Sequence, residues 1–452
     1  MRHVAVMSFT TSIGLMAVFF VDLVDMIFIS MLGQAELAAA IGYAGAILFL
    51  TISVSIGISI ACGALVARAV GAGRVGEARR RATNVMAAGL LVSVGVVAVV
   101  WTNLDTALGL VGAGGRTLGL AKSYLTIILP SVPVLMLGMA GTAVLRAHGD
   151  ARRAMMATLA GGAVNAALDP VLIFGLGLEL RGAALSSVLA RCVIMAAALY
   201  PLLRRYDGLA RFSPPEFLAD LRPIFAIAVP AILANVATPV GAAYVTRQMA
   251  EFGEAAVAGM AIVGRLTPVA FAVVFALSGA IGPIIGQNFG AGAHDRVGKA
   301  YSEGLVFTAC YVFAAAALLF AFRAPIAELF GATGLARELV FLFCGPLALA
   351  YYFNGVIFVG NAAFNNLSHP FYSTCINWGR NTLGTVPFVF AGAAWFGAPG
   401  VLLGQAAGGA VFAAMSWWLA QRVMATGPER EPVAAQPFTH RARLVQLFGQ
   451  RR

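Results

Sequence analysis

Charge is what this chain has least of. Only 11% of its 452 residues are Asp, Glu, Lys or Arg, far too few to cover the surface of a soluble domain of that length. Acids are the scarcer sign, 19 against 30 basic residues, so the few inside apolar runs stand out. Histidines occur only at 3, 148, 294, 369 and 440, all in loops or tails, which excludes a histidine relay or metal ligand inside the apolar runs. The cysteines (Cys62, Cys192, Cys310, Cys344, Cys375) lie scattered in apolar runs without a CxxC. They read as small core residues, not as a disulfide framework or a metal site. "GAHDRVGKA" (292–300) mimics a phosphate loop but lacks the G-x-x-x-x-G-K-S/T spacing and the hydroxyl after lysine. No HExxH or GxGD occurs, and the chain reads as no enzyme.

What fills the chain is apolar. Hydrophobic residues make up 60% and the mean hydropathy is +0.87. We place twelve spans, at 4–30, 38–67, 83–102, 118–145, 154–175, 182–203, 223–249, 256–287, 300–322, 337–362, 371–394 and 399–421, each long enough to cross a bilayer. The expected fold class is an all-α integral membrane protein. Basic residues fill alternate loops: Arg74, Arg79, Arg80 and Arg81, then Arg146, Arg152 and Arg153, then Arg204, Arg205, Arg211 and Arg222, then Arg296 and Lys299. The opposite loops hold little beyond Arg116, Arg181, Arg323 and Arg337. The positive-inside rule puts both termini in the cytoplasm, with the protein in a plasma (bacterial inner) membrane. The net charge of +11 is thus topological, and nucleic acid is not expected as a partner. Arg79-Arg80-Arg81 reads as topology and anionic-lipid contact. The start shows Arg2 and an apolar run through Ser30 without a cleavage motif, so the first span is expected to persist.

The chain also resembles itself. "SMLGQAELAAA" (30–40) aligns with "AEFGEAAVAGM" (250–260), "VGAGRVGEARRRA" (70–82) with "FGAGAHDRVGKAY" (289–301), and "LGLELRGAALSSVLA" (176–190) with "AWFGAPGVLLGQAAG" (394–408). The offsets are 220, 219 and 218, which is hard to obtain by chance. Two six-helix lobes follow, 1–203 and 223–424, with a cytoplasmic linker at 204–222 and a disordered basic tail at 425–452. Six spans is an even number, so the repeats are parallel, an arrangement found in transporters that open a central cavity alternately to each side.

Only Asp22, Asp25 and Asp169 sit well inside spans. A carboxylate at the bilayer centre costs roughly 3 kcal/mol on insertion scales, so it faces water, pairs with a cation or holds a proton. In "NAALDPVLIF" (165–174), Asn165 and Asp169 stand at i, i+4 on one helix face. Pro170 donates no hydrogen bond and displaces the Ala166 carbonyl one turn earlier. Carboxylate, amide and free carbonyl together could hold H⁺ or Na⁺. The alternative is a structural Asp169 satisfied by an arginine or a hydroxyl, with Pro170 a plain kink. Asp22 and Asp25, at i, i+3, would titrate as a coupled pair. The second half has Val245 and Pro387 at the places of Asp25 and Asp169, so ion coupling belongs to the N-terminal lobe.

At "VDLVDMIFISMLGQAELAA", "VGAGRVGEARRRA" and "NAALDPVLIFGLGLELRGAALSSV" the chain resembles multidrug and toxic compound extrusion (MATE) transporters of the MOP superfamily, and looks closest to the DinF-like branch. The resemblance implies two pseudo-symmetric six-helix bundles. It also implies antiport, with organic cations or other amphipathic drugs exported against H⁺ or Na⁺ and no further cofactor. It implies that Asp25, Asn165 and Asp169 form the ion site. "GAALSS" sets Ser187 where the family often has threonine. Position 22 departs from the family's asparagine, and Asp22 either adds a carboxylate to the site or faces headgroups. Helix 1 also lacks the family's early proline, since Thr10 stands opposite Pro230 in the repeat. Within the spans, Tyr43, Asn235, Tyr244, Gln248, Arg265, Tyr351 and Asn354 are candidates for a substrate cavity, by stacking, amide and cation–π contact. The alternative function is a lipid-linked saccharide flippase of the same superfamily. Expected partners are small amphipathic or cationic substrates and membrane lipids, with the chain a monomer.

Overall fold

The computed structural model describes residues 6–17, 28, 35–206 and 208–425. Every regular element among them is helical, one of the two ways a chain satisfies its own backbone where no water is available. The first half contains α1 (Val6–Ala17), α2 (Ala35–Gly71), α3 (Val75–Thr102), α4 (Leu104–Leu110), α5 (Gly115–Ile128), α6 (Val132–Ala147), α7 (Ala151–Pro170) and α8 (Glu179–Arg205). The second contains α9 (Pro214–Ala250), α10 (Glu254–Ala270), α11 (Ala272–Gly290), α12 (His294–Ala321), α13 (Arg323–Leu329), α14 (Gly334–Leu342), α15 (Ala348–Asn366), α16 (Pro370–Asn381) and α17 (Val386–Ala425).

Several spans are two helices in line, and each joint lies at or near a proline, which removes a backbone donor and breaks the regular ladder. Pro130 sits in the 3-10 turn between α5 and α6. Pro268 lies just before the α10–α11 joint at Phe271. Gly345 and Pro346 sit in the π turn Phe343–Leu347 between α14 and α15.

Ten continuous apolar stretches among the described residues are long enough to cross a bilayer. The last, Pro370–Ala425, makes two passes. It doubles back at Gly397, whose φ of 64° and ψ of −145° suit glycine alone. Its arms meet backbone to backbone: a Cβ on Gly392 would lie 2.9 Å from the Gly400 carbonyl carbon, and one on Gly408 3.0 Å from the Gly384 Cα. Lipid gives helices little hydrophobic reason to associate, so small residues that permit close approach do this work.

Each half has its own core. Ile58, Val66, Val85, Met136 and Val144 cluster among α2, α3 and α6. Leu277, Ile281, Tyr301, Val359 and Phe364 cluster among α11, α12 and α15. The outer surface is apolar too, with Leu91, Phe313, Phe390 and Trp395 exposed, as a lipid-facing surface requires. Cys62 and Cys344 are buried, but Cys192, Cys310 and Cys375 lie exposed, contrary to the expectation of core cysteines. A surface meant for hydrocarbon accepts a thiol as readily as the interior does.

The arginine run also has a partner within the protein. Arg81 Nη1 lies 2.8 Å from Asp220 Oδ1 and Arg80 Nε 3.4 Å from Asp220 Oδ2. Asn84 Nδ2 donates to Asp220 Oδ2 at 2.7 Å, and Arg80 also reaches Glu216 at 3.6 Å. Asp220 is buried. The Thr83 hydroxyl accepts from the Ala210 backbone N–H at 2.9 Å. α9 starts at Pro214, earlier than the expected 223, because Pro214 and Pro215 suit a helix's first turn. The linker and the base of α9 are therefore clamped onto α3.

Candidate functional site

Asp169 lies at the end of α7, with none of its surface exposed. Pro170 cannot supply the next backbone donor, and the chain re-registers there into a π turn, Val171–Gly175. Asn165 Nδ2 donates to Asp169 Oδ2 at 2.7 Å. Asp169 Oδ1 makes a short contact with Ser186 Oγ on α8. Ser186 Oγ also donates to the Ala183 carbonyl at 3.0 Å, so one hydroxyl proton faces two acceptors. Among the described residues no arginine or lysine pairs with Asp169. The expected hydroxyl was Ser187; the one that reaches Asp169 is Ser186. Ser187 sits one residue on, about 100° round the helix, and is half-buried. Asp22 and Asp25 lie outside the described residues.

Sequence reasoning passed over Arg191 on α8. It is buried and donates to the Ile128 carbonyl at 3.2 Å and to Ser131 Oγ at 2.8 Å, at the α5–α6 joint. A lone arginine in mid-span was the signal for it.

A cavity of about 340 Å³ lies between the halves, walled by α2 and α6 on one side and by α9, α11, α15 and α16 on the other. Its volume is near the lower end of the range for drug-sized ligands. Of the expected cavity residues, Asn235 lines it. Tyr43 packs in a hydrophobic cluster of the first half, Gln248 binds Glu251 at 2.8 Å, and Tyr351 stacks on Phe271 at 4.0 Å. Tyr244 packs in a cluster with α14 and α17 residues, Arg265 is exposed on α10, and Asn354 is half-buried on α15; none of the three is among the lining residues.

The polar lining comes mostly from residues the span boundaries had assigned to loops or passed over. Arg146 is in the last turn of α6, and Asn361, Asn365 and Asn366 are on α15. Asn377 Nδ2 donates to Asn361 Oδ1 at 3.1 Å, and Ser373 Oγ to Asn365 Oδ1 at 3.2 Å. Asn361 and Asn365, like Ser373 and Asn377, are spaced i, i+4. That spacing places each pair on one face and was readable in "NAAFNN" and "STCIN".

The end of the molecule that carries the basic loops is closed beneath this cavity. α2 and α11 cross there through glycines. A Cβ on Gly71 would lie 2.6 Å from the Gln287 carbonyl carbon, and one on Gly290 2.8 Å from that of Arg68. The side chains beside the crossing reach across it. Arg68 donates to the Asn365 carbonyl at 2.8 Å and to Ser368 Oγ at 3.0 Å, while Gln287 donates to the Ala147 carbonyl at 2.6 Å. Gly71 and Gly290, and Arg68 and Gln287, are each 219 positions apart, the repeat offset. The closure is reciprocal.

Two lobes of helices, a cavity between them and a closure built from both define a two-lobed membrane transporter. Residues 11–171 and 230–391 both match the MatE family model, the same two halves as the internal repeat, and the chain belongs to that family. It is 30% identical to a protein from Shewanella oneidensis named FAD transporter, over 95% of each chain. It is 26% identical to the multidrug export protein MepA of Staphylococcus aureus, over 64% of this chain and 66% of that one. In fold it is similar to a mutant of the Vibrio cholerae MATE transporter VcmN, with a TM-score of 0.90, 23% identity and coverage of 94% and 97%. A Pyrococcus furiosus MOP-superfamily transporter, described as having a binding pocket of reverse polarity, superposes with a TM-score of 0.88 at 21% identity, covering 95% and 97%.

Proposed function

We propose that the protein is an exporter of amphipathic small molecules that works by alternating access and is driven by protons entering at Asp169. The observation that supports this best is the state of Asp169: wholly buried, and held by Asn165 and Ser186 with no cationic partner among the described residues. A carboxylate buried without a counter-charge can be neutralised by a proton, and its two described partners leave it able to take one. A proton on Oδ1 is donated to Ser186 Oγ, and the serine proton is then free for the Ala183 carbonyl. Proton and substrate oppose each other through the conformation of the lobes, so that each weakens the other's binding. In this scheme the basic loops are cytoplasmic, the reciprocal closure is the inner gate, and the cavity above it receives the substrate. The relatives named as multidrug exporter and FAD transporter support small amphipathic solutes as the cargo.

The test uses purified protein in vesicles with a pH gradient or a Na⁺ gradient imposed separately. Export should follow the pH gradient, and Asp169→Asn should abolish it while the protein inserts and melts as before. Export by Asp169→Asn at the wild-type rate would remove Asp169 from the mechanism. Export driven by Na⁺ alone would replace the proton.

A further inference from the structure

The cavity holds a charge of the wrong sign for an organic cation. Arg146 lines it, with no hydrogen bond or ion pair from its guanidinium to any described residue. No described lining residue is Asp or Glu. An arginine held in a narrow cleft without a counter-ion is costly and repels a second cation strongly, because the low-dielectric walls focus its field. The rest of the lining fits the same polarity. Asn361, Asn365 and Asn377 present neutral amides. Phe275 and Phe358, with ring centroids 5.3 Å apart, supply an aromatic wall.

Resting on the cavity as the substrate site of the exporter above, we propose that its substrate is an organic anion: a planar aromatic body that carries a phosphate or carboxylate, seated with the anionic group against Arg146. The guanidinium suits such oxyanions because it can donate two parallel hydrogen bonds. Positive charge at the floor of a cleft also draws anions in from the mouth.

Flavin mononucleotide and riboflavin test this directly. They share a fluorescent planar ring and differ by one phosphate. Ethidium is the planar cation for comparison. Binding to the purified full-length protein is read by fluorescence. The wild type should bind flavin mononucleotide roughly tenfold or more tightly than riboflavin, the usual scale for a charge-assisted contact, and both more tightly than ethidium. Arg146→Gln should bring the two flavins to equal affinity. Arg146→Lys, which keeps the charge and loses the fork, should retain part of the difference and decides the matter if the glutamine variant does not fold. Equal affinity of the two flavins in the wild type, preference for ethidium, or an undiminished difference in both variants would overturn the proposal. It fails separately from the coupling scheme. Arg146-dependent flavin binding without proton-driven export sinks the coupling alone, and Asp169-dependent export of ethidium without flavin binding sinks the anion site alone.

Discussion

Replacing Gly290 with alanine should force open the closure at the end that carries the basic loops. The added methyl would lie 2.8 Å from the Arg68 carbonyl carbon and 2.9 Å from its Cα, where carbon atoms normally stand about 3.5–4.0 Å apart. Both atoms are helical backbone, so no rotamer change can relieve the overlap. α2 and α11 must separate by roughly 1 Å at the crossing, which also stretches the bond from Gln287 to the Ala147 carbonyl, now 2.6 Å. Overpacking of this kind costs about 1–3 kcal/mol. Charged to the closed state alone, it shifts the balance toward the state open at the basic end by a factor of about 5–150. The assay places a cysteine at Ser278, on the cavity wall, with the five native cysteines replaced. A membrane-impermeant maleimide is then added from the side of the basic loops. Labelling should be slow in the parent and faster by that factor in Gly290→Ala. Gly71→Ala should act alike, its methyl lying 2.6 Å from the Gln287 carbonyl carbon. Gly76→Ala, which meets nothing within 4 Å, is the control. Labelling of Gly290→Ala no faster than the control would refute the closure as drawn.

Other outcomes follow from the same contacts. Ser186→Ala should alter the pH dependence of export by removing the partner of Asp169 Oδ1, whereas Ser187→Ala should leave the pH profile in place. Asp220→Asn should lower stability by about 3 kcal/mol, the low end for breaking a buried pair, because Arg81 keeps 18% of its side chain exposed; thermal unfolding in detergent measures it. At the loop after α6, burial pushes His148 below the ordinary histidine range, against opposing effects of the Val144 carbonyl and Asp150. The folded state thus resists charging His148 while the unfolded chain accepts it. Stability should fall as pH drops below the ordinary histidine value near 6.5, and His148→Gln should flatten that limb of a melting-temperature profile taken from pH 7 to pH 5.

The spans, the duplication and the Asn165–Asp169 pair were legible because they are local: hydropathy runs, a shifted self-match, an i, i+4 spacing. The break after Asp169 followed from Pro170 by the same local rule. The cavity was not legible for a reason of boundaries. Hydropathy ends a span where polar residues begin, so Arg146, Asn365 and Asn366 fell into loops, while in the folded protein the helices run on and turn those residues toward the cleft. Ser186 was displaced by one because a family alignment assigns a column, whereas the 100° step of the helix decides which hydroxyl reaches the carboxylate. The pairing of the arginine run with Asp220 was not legible, because Asp220 is on another helix and far along the chain, and nothing in either segment announces it.

The clamp at Asp220 has a mechanical consequence. α9 is the first helix of the second lobe, yet its base is riveted to α3 of the first. Any tilt between the lobes must therefore be absorbed higher up the same rod, above the rivet. Pro223, Pro230 and Pro239 lie there inside α9, each deleting one rung of the backbone ladder. One end of α9 is fixed to a neighbour and its shaft is weakened at intervals, so in the proposed alternating-access scheme it is the flexure on which the second lobe would swing.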